Sequence, residues 1–135
     1  MSLVRLLPAW LHAVADYAVG LTLVAVALAS GASAGAVGTG VVVGVTVLLV
    51  SMLTKYPLGI AKVLPFTVHS AGDYLAAGLL LAAPWAINFA DSDPGIAAFY
   101  VIAGLAVLAV SMVTNYQYSP KRDWSRGPST APSPA

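Results

Sequence analysis

Apolar positions follow one another almost without interruption over four long runs of this chain, residues 9–30, 34–53, 66–89 and 95–114. Each run is about 20 residues or more, enough to cross a hydrocarbon layer ~30 Å thick at ~1.5 Å per helical residue. Backbone groups in lipid have no water to bond, so such runs are helices and not open strands. The links at 31–33 and 91–94 are very short, which folds the runs into two tight hairpins. The middle link, 55–65, is longer and holds Pro57, Gly59 and Pro65. Pro84, near the far end of the third run, predicts a kink or an early helix end there. The expected fold is therefore all-α, a single four-transmembrane-helix bundle over residues 1–118. Residues 119–135, rich in Pro and Ser, are expected to be a disordered cytoplasmic tail.

Composition supports the membrane reading. Only 8% of the 135 residues are charged while 59% are hydrophobic, and the mean hydropathy is +0.87. A soluble domain carries roughly a quarter charged residues. A net charge of +1 provides no field for nucleic acid, so none is expected as a partner. The absence of cysteine excludes disulfides, iron–sulfur clusters, zinc–thiolate sites and thiol chemistry. Arg5, the first apolar run and Ala32-Ser33-Ala34 imitate a signal peptide and its cleavage site. That run is too long for a signal core, however, and it contains His12 and Asp16, so it reads as a retained helix.

Charge sets the expected orientation. Arg5, Lys55, Lys62, Lys121, Arg122 and Arg126 all fall on one side of a four-span topology, and only Asp91 and Asp93 on the other. Positive loops face the cytoplasm. The expectation is a multi-pass protein of the inner (plasma) membrane with both ends cytoplasmic. The basic pair Lys121-Arg122, with Trp124, suits anionic headgroups of that leaflet. Trp10, Trp85, Tyr56 and Tyr116 sit near the run boundaries and read as interfacial anchors.

The two halves resemble each other. Leu7-Pro8-x3-His12-x3-Asp16-Tyr17 returns 57 residues later as Leu64-Pro65-x3-His69-x3-Asp73-Tyr74. Ser51-Met52-x-Thr54-x-Tyr56 returns 60 residues later as Ser111-Met112-x-Thr114-x-Tyr116. Repeat one covers about 7–56 and repeat two about 64–116. Each contains two helices, so both insert the same way up. A parallel repeat with a pseudo-twofold axis along the membrane normal is expected.

This pattern resembles the small bacterial membrane proteins built on the SPW repeat. Their hairpin begins with Pro and His-x3-Asp, and its first helix ends in Ser/Ala-Pro-Trp. Ala83-Pro84-Trp85 fits in the second half, whereas the first half has Ala27–Ser30 and no Pro-Trp. The resemblance implies the tandem-hairpin architecture and no established activity.

Candidate chemistry lies inside the runs. Asp16 and Asp73 are their only acidic residues, and buried charges in a bilayer are costly enough to suggest function. His12 and Asp16 are four apart and share a helix face, as do His69 and Asp73. Tyr17, Tyr74, Ser51, Thr54, Ser111 and Thr114 are expected to complete a polar layer near the cytoplasmic surface. On the second run Gly40, Gly44, Ser51 and Thr54 share a narrow arc, and on the fourth Ala97, Gly104 and Ser111 recur every seven residues. Small residues let helices approach closely.

Four readings remain open from sequence. The Asp residues can simply accept bonds from His, Ser, Thr or Tyr, with Lys55 reaching down as a counter-ion. Two imidazoles and two carboxylates can instead hold a divalent metal such as zinc, iron or manganese. The two histidines can ligate haem b, or the His/Asp layer can pass protons. No polar relay continues into the outer half of the runs. With two His and no Glu, hydrolytic chemistry has few candidates. A non-enzymatic subunit is expected, embedded in the bilayer and either homo-oligomeric or part of a larger membrane complex. The separation of His12 from His69 decides between several of these.

Overall fold

The computed structural model describes residues 6–116. Arg5 and the expected tail with Lys121, Arg122, Trp124 and Arg126 lie outside the described residues. Within them are four helices: α1 (Ala9–Ala29), α2 (Ala34–Leu53), α3 (Phe66–Ala86) and α4 (Pro94–Val113). α1 and α3 start immediately after Pro8 and Pro65. α4 opens with Pro94 at its first turn, where a missing N–H costs nothing.

α3 ends at Ala86, earlier than the apolar run to residue 89 suggests. Asn88 there adopts a left-handed φ of 61°. The Phe89 N–H bonds back to the Pro84 carbonyl at 2.9 Å and the Asn88 N–H to that of Trp85 at 3.3 Å. This is a Schellman-type stop, and it seats Phe89 in the core.

Helices α1 and α2 pack closely as an antiparallel hairpin, as do α3 and α4, and the seams between hairpins are looser. Glycine allows the close contact. A Cβ built on Gly44 would stand 2.8 Å from the Gly20 carbonyl oxygen, and one on Gly104 would stand 3.1 Å from that of Ala77. The half of the bundle nearer the two short links is filled by Leu23, Val43, Leu80, Phe89, Ile96 and Tyr100. The Tyr100 hydroxyl donates to the Ala36 carbonyl at 2.7 Å, tying α4 to α2.

At the opposite end, extended segments cap the even helices. The Val63 and Leu64 N–H groups bond the Leu53 carbonyl at 2.9 and 2.8 Å, and the Lys55 N–H bonds that of Leu64 at 2.8 Å. The Leu6 and Leu7 N–H groups bond the Val113 carbonyl at 3.0 and 2.9 Å, and the Asn115 N–H bonds that of Leu7 at 3.0 Å. Carbonyls that a helix end would otherwise leave unpaired are satisfied in both places.

Three helices, α1, α2 and α4, are long and apolar enough to cross a membrane. α3 is equally long at 21 residues but less apolar, because Thr67, His69, Ser70, Asp73 and Tyr74 crowd its first turns. Large apolar side chains such as Leu21, Leu28, Val42, Leu75 and Ile102 point outward. A soluble monomer rarely exposes so continuous an apolar surface.

Candidate metal centre

His12, Asp16, His69 and Asp73 meet in one buried cluster on the facing sides of α1 and α3. The two Nε2 atoms are 3.4 Å apart. His12 Nε2 lies 3.3 Å from Asp16 Oδ1 and 3.2 Å from Asp73 Oδ2, while His69 Nε2 lies 3.1 Å from both Asp73 Oδ1 and Asp16 Oδ2. Each imidazole thus faces the carboxylate on its own helix and the one on the other. One ligand atom from each of the four residues can be chosen so that all lie within 4.8 Å of one another.

The rings are held from behind by threonine. His12 Nδ1 is 2.8 Å from Thr114 Oγ1, and His69 Nδ1 is 2.8 Å from Thr54 Oγ1. Both threonine hydroxyls donate to the carbonyl four residues earlier, Val110 at 2.6 Å and Val50 at 2.7 Å. Their single protons are therefore committed, and each oxygen can only accept from the ring. In a neutral imidazole this network puts the proton on Nδ1 and leaves the Nε2 lone pair for a cation, whereas in an imidazolium each Nε2–H donates to the carboxylates 3.1–3.3 Å away.

The carboxylates are braced by tyrosine. Tyr56 donates to Asp16 Oδ2 at 3.1 Å, and Tyr116 donates to Asp73 Oδ2 at 2.8 Å. Burial pushes both phenols well above their ordinary range, and the adjacent carboxylate charge pushes the same way, so they stay protonated donors. These two residues are buried and not interfacial anchors. Both close the same Ser-Met-x-Thr-x-Tyr motif in the two halves, and that was the available sign of a shared role. Trp10 and Trp85, by contrast, are exposed at opposite ends of the bundle.

The expected polar layer is present in part. Thr54 and Thr114 touch the histidines, while Ser51 and Ser111 are fully buried beside the tyrosines. Tyr17 is not part of the cluster: its hydroxyl reaches outward to the Leu58 carbonyl at 3.0 Å, because residue 17 sits a further 100° round the helix from Asp16. Tyr74, next to Asp73, is half-buried on α3. Lys55 is exposed and is not the counter-ion of either aspartate among the described ion pairs.

Rings of Phe66, Tyr56 and Tyr116 close the cluster towards the nearer end of the bundle. Phe66 and Tyr116 lie 4.7 Å apart between centroids with their rings tilted by 58°, and His12 meets Phe66 edge-on at 5.5 Å. Above the cluster lies the apolar core around Leu23 and Leu80. Compared with known protein families, curated proteins and solved structures, the chain finds no match in any of the three, and its reading rests on these residues.

Proposed function

We propose that this chain is a four-span membrane protein that binds one first-row divalent transition cation, such as zinc, iron or manganese, through His12, Asp16, His69 and Asp73. One observation carries this reading. Two imidazole nitrogens and two carboxylates converge in one buried cluster, with one ligand atom from each within 4.8 Å of the others and a tyrosine hydroxyl behind each carboxylate.

Such a set of acceptors repels itself unless positive charge is added. Two protons would do so, but they would place two imidazolium nitrogens 3.4 Å apart. A single divalent cation balances the two carboxylates without that repulsion. A metal ~2.0–2.1 Å from each of four tetrahedral ligands sets them about 3.3–3.4 Å apart; the two Nε2 atoms already stand 3.4 Å apart, and one oxygen of each carboxylate can be chosen so that all four ligand atoms lie within 4.8 Å. The threonines and tyrosines supply the outer hydrogen bonds that orient metal ligands. Haem fits poorly: with the two Nε2 atoms this close and carboxylates on both, no slot is left for a macrocycle.

In this reading α3 crosses the bilayer beside the other three, its polar side chains turned into the bundle and its 21 residues matching theirs. The paired contacts at offsets of 57 and 60 support a parallel repeat of the kind implied by the resemblance to SPW-repeat proteins. The basic residues support cytoplasmic ends and a plasma-membrane location.

The test is metal content. Protein purified in detergent without chelators should carry about one equivalent of transition metal per chain. Stripped protein should melt higher when metal is restored, by about 2.7 kcal/mol of added stability at 100 times the dissociation constant. Absence of metal, together with no shift on adding zinc, iron or manganese, would leave the cluster as a proton-bridged latch between hairpins. Thr54→Val with Thr114→Val should weaken metal binding by about 10–100-fold, read by competition with a coloured chelator. Unchanged affinity would show that the threonines do not orient the imidazoles.

A further inference from the structure

A metal that only holds helices together is closed off by its protein ligands, whereas one that acts on another molecule keeps a position open. The surroundings of this cluster are unequal in that respect. In the loose seam between α1 and α4 there is a cavity of about 40 Å³ that reaches His12, Asp16 and Asp73. A water in the liquid occupies ~30 Å³, so the space suits one or two small molecules. Its remaining wall is aliphatic, with Val19 and Val107 among the lining residues.

Ser111 lines the same cavity. Its side chain is 0% exposed, and its Oγ has no hydrogen-bond partner. The Tyr116 phenol beside it already donates to Asp73. Native proteins seldom leave a buried hydroxyl unpaired, and a bound water or ion is a usual partner. Ser51, its counterpart on α2, is equally buried and unpaired. The cavity in the α2–α3 seam, however, is lined by Val47, Val50, His69 and Asp73 and does not include Ser51. Cavity and orphaned hydroxyl coincide on one side of the cluster.

We propose that the cation bound here takes, beyond its four protein donors, a fifth ligand from the α1–α4 seam, where Ser111 hydrogen-bonds this exchangeable small molecule, water or hydroxide at rest. This rests on the metal-binding reading above. It makes the centre one that can take small polar or anionic ligands, not a closed structural site.

Cobalt(II) tests it, because its visible absorption reports coordination. Full-length protein in detergent is loaded with cobalt and titrated with azide. The expected result is a saturable spectral change. Ser111→Ala should load cobalt normally but bind azide about five- to tenfold more weakly. Val107→Phe, which fills the cavity without touching a ligand, should load cobalt and show no azide response. A cobalt spectrum indifferent to azide overturns the open position and leaves the metal site standing. Equal azide affinity in wild type and Ser111→Ala overturns the role of the serine. Failure of cobalt to bind removes both readings together.

Discussion

Removing the two histidines should do far more damage than removing the two carboxylate charges. Asp16→Asn with Asp73→Asn is expected to give a folded bundle that binds no metal. Each new amide N–H can donate to an Nε2 lone pair, so the neutral network stays satisfied. His12→Ala with His69→Ala also loses the metal, but it leaves two buried carboxylates facing one another with only Tyr56 and Tyr116 as the described donors. A buried charge stripped of its partner typically costs about 3–5 kcal/mol. The histidine-free protein should therefore melt well below the asparagine variant when both are metal-free in the same detergent. Equal melting of the two would mean that the carboxylates carry no charge inside the bundle, and the charge-balance case for a cation would fall.

The second large effect is steric. Gly44→Leu should break the α1–α2 hairpin, since even a bare Cβ at this position stands 2.8 Å from both the Gly20 carbonyl oxygen and Val24 Cγ2. Backbone cannot rotate out of the way as a side chain can, so the helices must separate. Overpacking of this kind costs about 1–3 kcal/mol and sometimes more. Gly78→Leu is the matched control. A Cβ on Gly78 meets nothing within 4 Å, and leucine is the better helix former. Thermal melts followed by circular dichroism should show a large drop for Gly44→Leu and little change for Gly78→Leu. Similar melting of both variants would contradict the close approach of α1 and α2.

Much of the scaffold was legible in the sequence. The run 34–53 coincides with α2, and the other three differ from the helices at their ends, where Gly31 follows α1, Asn88 follows α3 and Pro94 opens α4. Hydrophobic length identifies helices well but underrates one that turns polar residues inward, which is why α3 is less apolar than its neighbours. Four-residue spacing put each His beside its Asp. It could not show that the two faces meet, because periodicity fixes which side of a helix is polar and not what that side packs against. Tyr56 and Tyr116 were misread for a related reason. A tyrosine at a helix boundary normally lies in the headgroup layer, and only tertiary packing turned these two under the aspartates. Thr54 and Thr114 were identifiable as polar-layer residues, but their hold on a particular ring nitrogen depended on contacts across the seams.

Those braces differ in where they come from. Each aspartate is held by a tyrosine from its own hairpin, whereas each histidine is held by a threonine from the other. During synthesis the first hairpin can therefore brace Asp16 as soon as Tyr56 has been made. His12 must wait for Thr114, which follows the last helix. The centre is completed only when the whole bundle has emerged, so a chain truncated before the end of α4 would present the cell with a half-built, charge-exposing intermediate for quality control to recognise.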